Sequence, residues 1–400
     1  MSKLSRREWL VRCAGGAGAA VLSGCSSGIS LPRLAMMPET SGNRTVALVG
    51  VSRAGNRTVD RVIQATRAAA EAATDFAWLS SGDSVLLKVA CNSGNSYPAT
   101  TDPSSVRGMV ALLKERGAGR VVVADMSGVE HLRFGRDATT GSTEMLMRKN
   151  GLYTAALDSG AEIHAFEEAG WDSFYEERPL SGRSWPNSLL MPNILKRIDH
   201  IVLMPRCSRH ALLGSTLGLK SAVGWWRFDS RLDYHQGAAS LFEKTAEGNT
   251  VPSLLNKQRL VISSATKVQV TYGPDVGYVT HPDTGLVIAS ESVLAHDMVS
   301  LSWLFENRAL VPAGKLASLS DPYQSQLSAD LGNRVLCKWL GGGTGLGAQQ
   351  LVRHDFHNVW QDRVLYRAMQ IEGGVPRIDL EVVNSLVTSE LVAGLRKYWA

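Results

Sequence analysis

Cysteine, clustered charge and long apolar runs are all scarce in this 400-residue sequence. Its five cysteines are too few and too scattered for the sets that hold iron–sulfur clusters, so no such cofactor is expected, and the residues name no other. No stretch reaches the roughly 20 consecutive apolar residues that cross a bilayer as a helix. There is no basic run and no RNA-binding aromatic motif, and three of the five units of formal net charge come from Lys3, Arg6, Arg7 and Arg12 against Glu8. Nucleic acid is therefore excluded as a partner. What remains, 44% hydrophobic and 20% charged, is an ordinary globular composition, long enough for one large domain or two.

The beginning of the chain reads as an address. Ser5 to Cys25 has a charged start, a short and mildly apolar centre, and small residues before a cysteine. Arg6 and Arg7 followed by Trp9 and Leu10 resemble a twin-arginine signal, and Leu22, Ser23, Gly24 and Cys25 resemble a lipobox. Residues 1–24 are thus expected to be a signal peptide, with Cys25 acylated and residues 25–43 a Ser, Gly and Pro tether. The expected location is the periplasmic face of a bacterial membrane, the outer one favoured by Ser26, reached through the export machinery.

From Thr45 onward, β-branched apolar runs alternate with helical patterns. Thr45 to Val51, Ser84 to Ala90, Gly119 to Asp125, Ala161 to Phe166 and Asp199 to Pro205 read as strands. Between them, Val59 to about Leu79, a segment opened by Asp102 and Pro103, Ser142 to Asn150 and Met191 to Arg197 read as helices. Arg259 to Tyr272 and Leu286 to Ala289 are strand-like, Ser292 to about Glu306 is helical, and Leu380 to Tyr398 is a final amphipathic segment. This alternation predicts an α/β fold, a doubly wound and mostly parallel sheet with helices on both faces. Residues 44–320 form the α/β domain, and a less regular extension over 321–400 packs on it.

In such sheets ligands sit beyond the carboxyl ends of the strands. The strand ends carry Lys88 and Asn92, Asp125, then Arg206, Arg209, His210 and Lys220, with Trp225, Trp226 and His235 following. Several cations around one histidine suit a carboxylate or phosphate, with His210 as acid or base and Lys88, Arg209 and Lys220 as clamps. Cys91 and Cys207 follow two of these strands, so a disulfide or a soft metal beside His210 is open to them, as are free buried thiols. His354 and His357, spaced i, i+3, and the glycine run Gly341 to Gly347 are weaker signals, more readily read as surface histidines and a loop.

Taken in order, VLLKVACN, the Thr100 to Pro103 helix start, VVVAD, DHIVLMPRCSRH followed by Leu219 and Lys220, GPDVG at Gly273 to Gly277, and Leu286 to Ser300 resemble domain-of-unknown-function family 362. The likeness runs from about Arg44 to Leu304. It implies the fold and the place of the site, adds Asp297 to the ligand-binding candidates, and implies no chemistry. Departures include Arg209 where relatives carry lysine, and the lack of appended clustered cysteines. Three function classes remain: an enzyme or cofactor protein acting on a small anionic compound, a non-catalytic binding or assembly lipoprotein, and a metal- or thiol-dependent redox protein.

Overall fold

A computed structural model describes residues 37–53, 59–317, 321–354 and 357–399. The twin-arginine segment, Cys25 and most of the tether lie outside the described residues. Eight strands form one sheet: β1 (Glu39–Ser52), β2 (Ser84–Val89), β3 (Arg120–Asp125), β4 (Glu162–Ala165), β5 (His200–Met204), β6 (Gln258–Ala265), β7 (Thr284–Ser290) and β8 (Val375–Val382). Their spatial order is β8-β1-β7-β6-β5-β2-β3-β4. Every strand but β7 runs in the same direction. The sheet is α/β and mostly parallel, as the alternation of patterns predicts.

Side-chain alternation divides the core into two halves. Val85, Leu87 and Val89 of β2 meet α1 (Val59–Ala73) and α2 (Pro103–Glu115), whereas Leu86 faces the other way, toward α7 and the Trp225 region described below. Both faces being covered, all six residues of β2 are buried, which is why it reads as an unbroken apolar run. Asp102 caps α2 as its spacing predicts, Oδ1 accepting from Ser104 N at 2.9 Å, with Pro103 at the first helical position. Ser142 likewise caps α3 (Thr143–Asn150), which is followed by α4 (Leu152–Asp158).

Some boundaries differ from the sequence reading. α1 stops at Ala73, six residues before Leu79, because Thr74 Oγ1 accepts from Phe76 N and Phe76 takes φ +61°, outside the helical region. Met191 to Arg197 is not one helix: Leu189–Pro192 is a strand and Asn193–Arg197 a 3₁₀ turn. Tertiary context separates the final segment as well. Its start belongs to β8, parallel to β1, and its remainder forms a helix over Ser389–Arg396. β1 itself begins at Glu39, pairing with Val375, ahead of the expected start near Arg44. The side carrying Trp225 includes α5 (Phe228–Gln236), α6 (Leu241–Glu247), α7 (Val293–Ala309) and α8 (Gln326–Trp339), with further helices over Pro252–Lys257 and Arg363–Glu372.

The winding reverses beside β2. From it the chain steps outward through β3 to β4, whereas β5 and β6 lie on its other flank. The carboxyl ends of β2, β3 and β5 therefore open onto the reversal point of the sheet, where ligands of open α/β folds lie.

Candidate functional site

Lys88 and Asp125 end β2 and β3, and the parallel register sets Lys88 beside Ala124. Lys88 Nζ lies 2.5 Å from Asp125 Oδ1 and 3.0 Å from Val89 O, and Asp125 Oδ2 accepts from Cys91 N at 2.7 Å. Burial pulls the Lys88 pKa down and the adjacent carboxylate opposes this. Gly224 covers the pair so closely that a Cβ there would sit 2.5 Å from Lys88 Nζ and 2.8 Å from Asp125 Oδ1. The two residues form a satisfied, covered ion pair beneath the site. They do not present free groups to a ligand.

Beyond β5 the chain turns through Arg206 and Cys207 into a short strand, Ser208–His210, paired antiparallel with Gly214–Thr216. Alternation sends Arg209 and His210 to opposite sides. Arg209 donates from Nε to Asp321 Oδ2 at 2.9 Å and from Nη1 to Gly214 O at 2.8 Å, with its guanidinium 4.5 Å from the Tyr323 ring centroid. It anchors the later part of the chain and does not line the cavity, so its expected clamp position is corrected.

His210 does line a cavity of about 210 Å³, together with Asn92, Lys220, Arg231 and His235. Apolar side chains from Val223, Tyr234, Leu336 and Trp339 close much of the remaining wall. His210 Nδ1 accepts from the backbone N–H of Leu212 and Leu213 at 3.2 and 3.3 Å, so the ring's proton sits on Nε2. Burial, reinforced by Lys220 and Arg206, holds its pKa well below the ordinary range, so it stays neutral. His235 is the opposite tautomer: its Nδ1 lies 2.8 Å from Asn333 Oδ1 and donates to it, leaving Nε2 as an acceptor, and burial lowers its pKa to about 4. One imidazole thus offers a donor and the other a lone pair.

Lys220 is the second residue of a 3₁₀ turn, Leu219–Trp225, whose start is locked by Asp297. Asp297 accepts from Gly218 N at 2.8 Å and from Leu219 N at 2.7 Å. Asp297 is therefore a positioning group and lies away from the main cavity. The Lys220 side chain is half-buried, lines the cavity, and has no hydrogen-bond partner among the described residues. Burial lowers its pKa to about 7, and Arg206, Arg231 and Lys88 push the same way against Asp125. Arg231 is pinned by the carbonyls of Trp226, Ser127, Met126 and Gly224. Arg206, also buried, donates from Nη1 to Ala99 O and Pro274 O, while its Nε and Nη2 have no partner.

Arg231 was missed from the sequence, and His235 was noted beyond the strand ends but given no role in the site. They sit i, i+4 on α5, a spacing that puts both on one face and that the sequence displays once the helix is known. The Trp339 wall, from α8, carries no local signal.

Cys91 and Cys207 do not converge. Both are free and buried, in the two halves of the core that the sheet separates. Cys91 Sγ accepts from Asn150 Nδ2 at 3.3 Å and Cys207 Sγ donates to Ser300 O at 3.2 Å. The expected disulfide or shared soft metal is corrected. Among the described residues the set that could hold a metal is instead Glu130, His131 and Asp275, whose ligand atoms lie within 4.8 Å of one another at the cavity rim. Ser263 Oγ, His296 and Asp297 Oδ1 form a chain at 2.9 and 2.8 Å with the spacing of a hydrolase triad. All three are buried where α7, which carries His296 and Asp297, packs on β6, which carries Ser263, out of reach of a substrate. Trp225 stacks on Phe166 at 5.3 Å and Trp226 packs edge-on to Trp185, so the pair is core. Gly341 to Gly347 follows the carboxyl end of α8, where carbonyls repel a phosphate. His354 accepts from Arg363 at 2.5 Å, and His354 and His357 do not share a helix.

An α/β protein with a cavity of mixed charge at the reversal point of its sheet is the class these features define. A family model described as "Domain of unknown function (DUF362)" matches residues 85–302, more than half of the chain, and the chain belongs to that family. No curated protein matches it. Among solved structures, a Thermotoga maritima protein determined by a structural genomics consortium is similar at 12% identity and a TM-score of 0.32, over 53% of this chain and 51% of that one. The chain thus spans about half the length of that neighbour.

Proposed function

We propose that this is an exported, lipid-anchored α/β protein whose cavity takes a small anionic molecule, held by Lys220 with Arg206 and Arg231 behind it and with His210 as hydrogen-bond donor. The observation that carries the reading is a set of cationic donors left without acceptors at and behind the cavity, although the acids Glu130 and Asp275 share its lining. Among the described residues Lys220, on the lining, has no hydrogen-bond partner, Arg206, behind the lining, keeps two unpaired buried nitrogens, and Asp125 is already committed to Lys88. Buried cationic donors left without acceptors cost free energy unless an anion meets them.

Thermal-shift screening of the full chain against carboxylates and phosphates tests this. A ligand that raises the melting temperature of wild type should bind about ten- to hundredfold more weakly to Lys220→Met, the effect of losing one charge-assisted hydrogen bond worth roughly 1.5–3 kcal/mol. If no anion shifts wild type, the binding reading falls. Export and anchoring rest on Arg6, Arg7 and Leu22 to Cys25. Replacing both arginines by lysine should retain the chain in the cytoplasm, and Cys25→Ser should release it from membranes. Export of the double-lysine variant through the general secretory route would refute the twin-arginine assignment.

A further inference from the structure

We propose that Lys220 is a carbonyl-reactive amine, which forms an imine with a small aldehyde or ketone that also carries an anionic group. This rests on the anion-binding reading above and names the substrate class of the same cavity.

Four features of geometry separate Lys220 from the other lysines that the fold holds away from solvent. First, its amine is uncommitted. Lys88 is tied to Asp125, Lys244 donates to Asp233 O at 2.8 Å, Lys257 donates to Leu195 O and Ile198 O at 2.5 and 2.6 Å, and Lys267 stands over the Tyr97 ring at 5.9 Å, away from the cavity. Second, it lines a cavity whose walls are largely apolar, which suits the carbon skeleton of a small carbonyl compound. Third, its backbone is fixed by Asp297 through Gly218 N and Leu219 N, so the amine is presented from a rigid turn. Fourth, the neutral His210 ring, protonated on Nε2, lines the same cavity and supplies a hydrogen bond for the oxygen that gains charge as nitrogen attacks.

The charge around the amine supports the same chemistry. Arg206 and Arg231 stand near it, with Lys88 below, His210 and His235 neutral, Asp125 as an opposing acid, and the acids Glu130 and Asp275 on the same cavity lining. With a pKa of about 7, a large share of Lys220 is unprotonated near neutrality. An ordinary lysine, with a pKa of about 10.4, is unprotonated to less than about one part in a thousand. Those arginines also favour a carbonyl compound bearing a carboxylate or phosphate over an uncharged one.

The step balances without an oxidant or reductant. The Lys220 nitrogen lone pair forms a bond to the carbonyl carbon as the C=O π bond breaks. The proton shed by nitrogen passes to oxygen, giving a carbinolamine. Loss of the second N–H proton and of the hydroxyl as water then leaves C=N.

The experiment incubates the full chain with pyruvate, with pyridoxal 5′-phosphate and, as an uncharged control, with acetone. Borohydride follows, delivering hydride to the imine carbon, and peptide mapping by mass spectrometry locates the product. The expected result is one equivalent of adduct on Lys220 from an anionic probe, about a hundredfold or more ahead of exposed lysines, with a rate that rises through about pH 7. Which probe reacts separates a carboxylate-bearing from a phosphate-bearing substrate. Lys220→Arg should lose the adduct; an unchanged adduct in that variant overturns the proposal. Labelling confined to exposed lysines also overturns it. If pyruvate or inorganic phosphate still raises the melting temperature of wild type in that case, the imine is wrong and the anion site stands. If there is neither a shift nor an adduct, both readings fall.

Discussion

Replacing Lys88 by Met breaks the ion pair under the cavity and leaves the Asp125 carboxylate buried with the Cys91 N–H as its remaining hydrogen-bond donor among the described residues and with Lys220 and Arg231 as more distant charges. The side chains of Lys88 and Asp125 are 2% and 3% exposed, so solvent cannot take over the lost interaction. Removing one member of a buried pair costs about 3–5 kcal/mol, a large fraction of the roughly 5–15 kcal/mol that stabilises a typical domain. Asp125→Asn should cost a similar amount by stranding the ammonium, although Asn can still accept from Cys91 N. The double variant removes both charges and should be more stable than the sum of its parts by about 2 kcal/mol or more. Urea denaturation followed by circular dichroism gives the three values. Single variants within about 0.5 kcal/mol of wild type would show that Lys88 is exposed to solvent or ligand, and would return it to the clamp position expected from sequence.

Three more expectations follow from the same geometry. Folding lowers the Lys220 pKa from about 10.5 to about 7, so below pH 7 both states hold the proton and the burial cost is present in full, whereas between about pH 7 and 10.5 only the unfolded chain holds it and stability rises; the stability advantage of Lys220→Met over wild type should therefore shrink across that window, and a constant difference would refute the depressed pKa. Asp297→Ala should lose about 3 kcal/mol or more, because Gly218 N and Leu219 N are both orphaned at roughly 1–3 kcal/mol each, and calorimetry showing no loss would free Asp297 from its positioning role. Cys91 and Cys207, 0% and 1% exposed with thiol pKa values pushed up by burial, should resist iodoacetamide in the native protein and react in urea, and mass spectrometry finding native alkylation would contradict the packing.

Much of the sheet was legible because strands covered on both faces leave unbroken apolar runs, and because Asp102 caps a helix where its chemistry predicts. The candidate site was legible where a residue's place depends on a strand end, as for Lys220 and His210. It was not legible where it depends on which way a side chain leaves that end. Arg209 adjoins His210 in sequence but faces away, drawn to Asp321, 112 residues further on. Cys91 and Cys207 follow adjacent strands yet enter opposite halves of the core. Lys88 and Asp125 look like free charges in a list of strand ends, and only the parallel register of β2 and β3 turns them on each other. Physical proximity across long separations also hid the rim set, where His131 Nε2 lies 2.9 Å from Asp275 Oδ2 across 144 positions.

The pairing of β8 with β1 has a consequence for the order in which the molecule can be completed. Translation must reach Val382 before the outer edge of β1 gains its neighbour, although β1 emerges first among the described strands. Until then its N–H and C=O groups form an open template on which another chain can add. Contacts joining Glu39 to Val375 are among the most widely separated in the chain, and such pairings form late. A nascent chain halted short of Val375 therefore carries a sticky edge next to its own amino-terminal segment, and release from the ribosome, with closure by β8, is the event that makes this edge safe.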